Sequence, residues 1–164
     1  MSEPRLLRFA VGAFDSWEEL DQALQALRVG GMALDSFNCL ALERVLAGHT
    51  IIGLSQEVSS NQLLAFPENR ESIACTAGPL ADCLSQRFQL GAISLKDALG
   101  RWLIPRHAAQ FQGAVESGSV LLWVRLADAD EERRAYLCLL AHSSSSVGVH
   151  DLAPPPASSS DIPV

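Results

Sequence analysis

The chain has 164 residues, 48% apolar and 19% charged, and its 19 acidic against 12 basic side chains leave a net charge of −7. That composition describes a globular domain able to bury about two-thirds of its unfolded surface, and its charge repels phosphate backbones, so nucleic acid is a poor partner. No stretch approaches the roughly 18 continuous apolar residues of a bilayer span, and the apolar start runs into Asp15 and Glu18-Glu19 with no small-residue cleavage site, which points to a cytoplasmic chain without membrane association.

Taken in order, Leu6–Phe14 is rich in Leu, Phe and Val and reads as a strand with a buried face. Ser16 followed three residues on by Glu19 is a capping box, which satisfies two otherwise orphan amides at a helix start. Trp17, Leu20, Leu24 and Leu27 then fall on one stripe, and Gly30-Gly31 closes the helix. Leu34–Leu42 supplies a second strand. The following stretch is the least readable: Glu43–Ala47 suits a helical turn, Thr50–Leu54 a short strand or buried turn, and polar Ser55–Arg70, with Pro67 as a breaker, a loop. Ile73–Thr76 is too short to assign by itself.

Helices dominate the next part. Pro79 suits a first helical position, where its missing amide is harmless, and Leu80, Cys83, Leu84 and Phe88 form a stripe. Ser94 with Asp97 caps a further helix carrying Leu95, Leu99, Trp102 and Leu103. Pro105 opens another, with Ala108, Phe111 and Val115 on one face and Gly118 at its end. Val120–Leu126 is a strand. Asp128 with Glu131, or Asp130, caps a helix whose apolar face is assigned to Tyr136, Leu139 and Leu140. Ser143–Ser146 is a polar turn and Val147–His150 the last strand. Ala153–Val164, rich in Pro and Ser, reads as a disordered tail.

Two βαβ units separated by a helical middle predict an α+β, ferredoxin-like fold. Its four antiparallel strands would be about 6–14, 34–42, 119–126 and 147–151, in a single domain over 1–152, with the helical insertion at about 43–117 and the tail at 153–164. A doubly wound parallel sheet is the alternative, because the middle helices could cover a second face.

Ala13–Leu27, Ala108–Leu126 and the closing Val147–Leu152 together resemble the bacterial general stress protein (heat-induced stress protein-like) domain. The resemblance implies an α+β fold and an association with stress, and brings no catalytic residues with it.

Chemistry is sparsely signalled. His49, His107, His142 and His150 lack partners at metal-ligand spacing, and adjacent His150 and Asp151 on a strand point to opposite faces. Cys39, Cys75, Cys83 and Cys138 form no C-x-x-C pair and read as buried thiols. There is no nucleophile elbow, and Thr76-Ala77-Gly78-Pro79 lacks the paired glycines and Lys of a phosphate loop. No catalytic residue, metal or cofactor is therefore expected.

The most informative expectation concerns the sheet. If Leu122, Val124 and Leu126 face helices, Trp123 and Arg125 face outward, joined by Arg8 and His150. Such an aromatic–Arg face suits an interface, and a symmetric dimer is the commonest way to bury one; the other outcome is that the helical middle folds over Trp123. The leading expectation is a non-enzymatic, homodimeric regulatory or stress-associated interaction module. A small-ligand sensor is the first alternative. The second is an enzyme whose site lies in 43–78 and gathers several of Glu57, Glu68, Arg70, Glu71 and Cys75.

Overall fold

The computed structural model describes residues 6–33, 36–46, 58–66, 71–76, 78–143 and 145–153, with side chains undescribed at 58–66, 71, 72 and 146. In chain order the elements are β1 (Leu7–Phe14), α1 (Trp17–Val29), β2 (Phe37–Leu42), α2 (Glu43–Leu46), β3 (Val58–Phe66) and β4 (Glu71–Thr76). They continue with α3 (Pro79–Gln89), α4 (Leu95–Leu99), α5 (Pro105–Glu116), β5 (Val120–Leu126), α6 (Ala129–His142) and β6 (Ser145–Leu152).

The caps read from sequence form. Ser16 Oγ accepts from Glu19 N at 3.1 Å and Ser94 Oγ from Asp97 N at 3.0 Å. At α6 the cap is Asp128, whose Oδ1 accepts from Glu131 N at 2.9 Å, while Glu131 Oε1 accepts from Ala127 N at 2.8 Å. Both orphan amides are thus satisfied, and three acidic residues occupy the first turn where the helix dipole favours them.

The fold is α+β around one antiparallel sheet, in the order β3-β4-β2-β5-β1-β6. β1 and β2 flank β5, and β5 and β6 flank β1, so the two βαβ units interleave. Each crossover skips one strand position, and the other unit's first strand fills the gap antiparallel.

Several expectations need correction. Among the described residues the sheet has six strands instead of four, because the 43–117 insertion is not all helical. Its first part contributes β3 and β4, and β4 pairs with β2 (Leu40↔Cys75, Leu42↔Ile73), extending the sheet beyond the anticipated edge. Ser59–Gln62 is polar and has no apolar alternation to announce a strand; ladder pairing with β4 supplies what local pattern lacks. The strand or turn expected at 50–54 lies outside the described residues, as does the tail from 154 on.

Both faces of the sheet are covered. Facing α1 and α6 are Ala10, Phe14, Val120, Leu122, Val124 and Leu126 with Leu20, Leu24, Leu27 and Leu139. Facing α3, α4 and α5 are Phe9, Val11, Leu121, Trp123 and Ile73 with Leu84, Leu99, Phe111 and Val115. Trp123 is 0% exposed, so the open aromatic face does not exist: the helical middle lies over it. The expected alternation along β5 is real, but alternate residues enter two cores rather than one core and solvent.

α6 also differs from its anticipated face. Ala135 and Leu139 are buried, whereas Tyr136 and Leu140 are exposed. The helix turns its small side toward the sheet, so that it can approach β1 at Gly12. A Cβ added there would stand 3.1 Å from Ser143 Cβ and 3.3 Å from a Leu139 methyl.

Candidate functional site

The register of β1, β5 and β6 places each anticipated site residue. Directly opposed residues share a face, and Val11↔Trp123, Phe9↔Arg125 and Phe9↔His150 put Trp123, Arg125 and His150 on the side of α3–α5. Arg8↔Leu126 and Arg8↔Asp151 put Arg8 on the other. The four residues therefore do not form one patch.

Trp123 sits in an aromatic cluster. Phe9 meets it edge-on at 5.7 Å and Phe111 of α5 at 5.6 Å; His150 stands 6.4 Å away. His150 in turn contacts Phe111 at 5.5 Å and His107 at 5.3 Å, both nearly perpendicular. Such edge-to-face pairs exceed their area burial by about 0.5–1.5 kcal/mol each. Burial holds His150 below its ordinary pKa, neighbouring His107 adds to the shift, and Asp151 opposes it. Trp123 Nε1 is buried without a partner, a cost of about 1–3 kcal/mol that the aromatic contacts must offset.

Arg8 anchors a different arrangement. Its Nη1 donates to both Asp151 oxygens, at 2.9 and 3.1 Å, and its Nε to Glu132 of α6. The hydrogen bond to Glu132 leads the rise in the Arg8 pKa, and the same bond holds the Glu132 carboxyl below the usual range. His150 and Asp151 do point to opposite faces. Arg8 and Arg125 meet only as lining of a cleft of about 520 Å³ at the strand ends, which Leu126, Ala127 and Glu131 complete. Arg125 is exposed there.

The thiols are held protonated. Burial pushes Cys39 up to about 12, Cys83 to about 11 with help from Asp82, and Cys75 further still; Cys138 is raised as well. A thiol so shifted presents almost no thiolate near neutrality. Among the described residues no three His, Cys, Asp or Glu side chains are grouped to hold one metal ion. Of the residues named for a site in 43–78, Glu57, Glu68 and Arg70 lie outside the described residues and the Glu71 side chain is undescribed, while Cys75 is core. No helix among the described residues is long and apolar enough to cross a membrane.

Sequence reading missed two features. One is the His107–Phe111 pair, four apart on α5 and therefore on one face, which could have been seen from spacing. The other is the outer surface beside β6. Tyr136, Leu137 and Leu140 of α6 are 37%, 57% and 52% exposed, enough to form a stripe rather than scattered contacts. Arg134 and Cys138 face α1, bonding to Gly30 O and Ala23 O. Helical geometry then puts Tyr136 and Leu140 on the opposite flank. Glu132, reaching Arg8 and with it the Asp151 ion pair, marks that flank as the β6 side.

No family model, no curated protein and no solved structure matches this chain.

Proposed function

We propose that the protein is a non-enzymatic interaction module that works as a homodimer in the cytoplasm, with a stress-associated role of the kind its sequence resemblance implies. We infer further that β6-β1-β5-β2 is a ferredoxin-like core enlarged on its β2 edge by the β3–β4 hairpin. The carrying observation is the β6 edge with its apolar flank. Among the described residues β6 pairs only with β1. Ser145–Leu152 contains no Lys, Arg or Pro, and although its register with β1 shifts between Val11 and Ala13, Gly148–Leu152 stays a regular stretch open to edge pairing.

A second copy is the occupant that fits. Antiparallel pairing of β6 with itself satisfies a two-fold axis automatically, because both partners present the same strand in opposite directions. Tyr136 and Leu140 would meet their copies above the joined edges, and Val147 and Val149, half-buried within one chain, would become fully buried. Trp123 has no part in this contact. The Arg8–Asp151 pair would lie near the strand's end and restrict its register.

Light scattering after size exclusion tests the reading. The expected species at tens of micromolar is a dimer, turned into a folded monomer by Leu140→Glu combined with Val149→Lys. A monomer in the unaltered chain, or a dimer unmoved by the double substitution, would defeat it.

A further inference from the structure

The helices over the Trp123 face border a second, open cleft, of about 560 Å³, whose lining is chemically lopsided. Arg87 enters from α3, Lys96 from α4 and Arg101 from the turn after it, with Asp97 the one carboxylate among the lining residues. Three of the chain's 12 basic residues thus meet in one place on a molecule of net charge −7. Among the described residues, none of these three cations forms an ion pair. Asp97 is already engaged, its Oδ2 accepting from Ile93 N at 3.1 Å.

We propose that this cleft binds a small ligand made of an oxyanion head, carboxylate or phosphate, on a compact apolar body. The proposal is independent of whether the chain self-associates. Three cations against the one Asp97 carboxylate leave an excess of positive charge in the cleft, an arrangement that an anion relieves. Arg87 Nε is shielded from solvent and bonds to no protein acceptor, so an anion in the cleft would meet the terminal nitrogens of this guanidinium. Two guanidinium groups offer paired parallel donors, the geometry that oxyanions take best, and Lys96 adds a point charge.

The rest of the lining sets the body of the ligand. Ile93 is 72% exposed at the cleft and Pro105 of α5 is exposed beside it, with Ala108 buried beneath. The backbone that carries Lys96 is also fixed in advance. Ser94 caps α4, and Lys96 N donates to Gln112 Oε1 of α5 at 2.7 Å, tying the short helix to its neighbour. A site on a fixed frame loses less ordering entropy on binding. The chain's overall negative charge makes binding here depend on the cleft itself rather than on long-range attraction.

Isothermal titration of the full chain with phenyl phosphate, benzoate and inorganic phosphate decides the matter. Saturable one-to-one binding of phenyl phosphate or benzoate is expected, tighter than inorganic phosphate because the ring covers Ile93 and Pro105. Whichever of the two organic anions binds more tightly identifies the head group. Arg101→Gln and Lys96→Gln, both at exposed positions, should each weaken binding about tenfold, or 1.4 kcal/mol, whereas Arg133→Gln on α6 should leave it unchanged. Arg87→Gln should weaken it most; if that variant fails to fold, the two exposed variants carry the test. Absence of saturable binding by all three probes, or binding that Arg133→Gln weakens as much as Arg101→Gln, would overturn the site.

Discussion

The two faces of the sheet are covered in different ways. Over one lie α1 and α6, the helices internal to the βαβ units, against a mostly aliphatic core with two buried rings, Phe14 and Phe37, and the partly buried Trp17 at its margin. Over the other lie α3, α4 and α5, all from the insertion, against Phe9, Trp123, Phe111 and the half-buried His150. The first layer is continuous with the fold's own connections. The second comes from chain that the two βαβ units do not require; it completes the aromatic cluster with Phe111 and His107, covers the unpartnered indole of β5 and carries the cationic cleft. In this molecule the scaffold is aliphatic and well satisfied, and the unusual chemistry gathers where an added layer meets it.

That contrast can be broken first at its centres. Trp123→Ala should destabilise the fold by about 3–5 kcal/mol in a denaturant titration, and Leu139→Ala on the opposite face by about 2–5 kcal/mol. Trp123→Phe should cost much less, since it also removes the orphan Nε1 donor. An indole facing solvent would instead show a near-neutral Trp123→Ala.

The junction between insertion and sheet offers the next test. Gly78 has φ of +154°, and a Cβ there would lie 2.6 Å from Asn38 Oδ1. Asn38 is fully buried, with its Nδ2 donating to Trp123 O and Ser36 O at 3.3 Å. Gly78→Ala should therefore cost about 1–3 kcal/mol, and the loss should be visible as a lower melting temperature.

Acid should weaken the aromatic layer before the aliphatic one. The folded pKa of His150 lies below the ordinary 6.5, so between that folded value and 6.5 the unfolded chain binds more protons. Stability then falls as pH drops through that window. His150→Gln should flatten the dependence of melting temperature on pH there. Glu132, also held low, loses its contribution only at still lower pH, as its carboxylate protonates below the usual 4.5.

The smallest effect concerns the strand-end charges. Arg8 is largely exposed, so Arg8→Ala should cost under about 1 kcal/mol, less still in high salt. A thiol-reactive probe under native conditions should label Cys138, the one cysteine not buried, well before Cys39 and Cys75.

The extent to which the chain could be read in advance follows from where the information lies. β1, α1, β5 and α6 are announced by caps and periodicity, which are local properties, and each formed close to where its residues indicated. β3 was hidden because Ser59–Gln62 is polar and Pro67 reads as a breaker, and its partner β4 follows directly but shows too short an apolar run to be assigned by itself. The candidate site fared worse. Alternation along β5 correctly separated Trp123 and Arg125 from Leu122 and Val124, but alternation cannot say whether a second face is wet. Tyr136 and Leu140 were assigned inward because they are apolar; the small Ala135 won that place by permitting closer approach to Gly12.

By itself, then, the sequence determined the order and kind of the principal elements, the helix starts and the two-faced pattern of the strands, because hydrogen-bond capping and side-chain periodicity act over a few residues. Tertiary structure alone decided which surfaces meet. It placed the insertion over Trp123, drew Arg8 to Glu132 and Asp151 from more than 120 positions away, and brought Arg87, Lys96 and Arg101 into one cleft. Those juxtapositions depend on layers packing against one another, and no local run of residues carries that information.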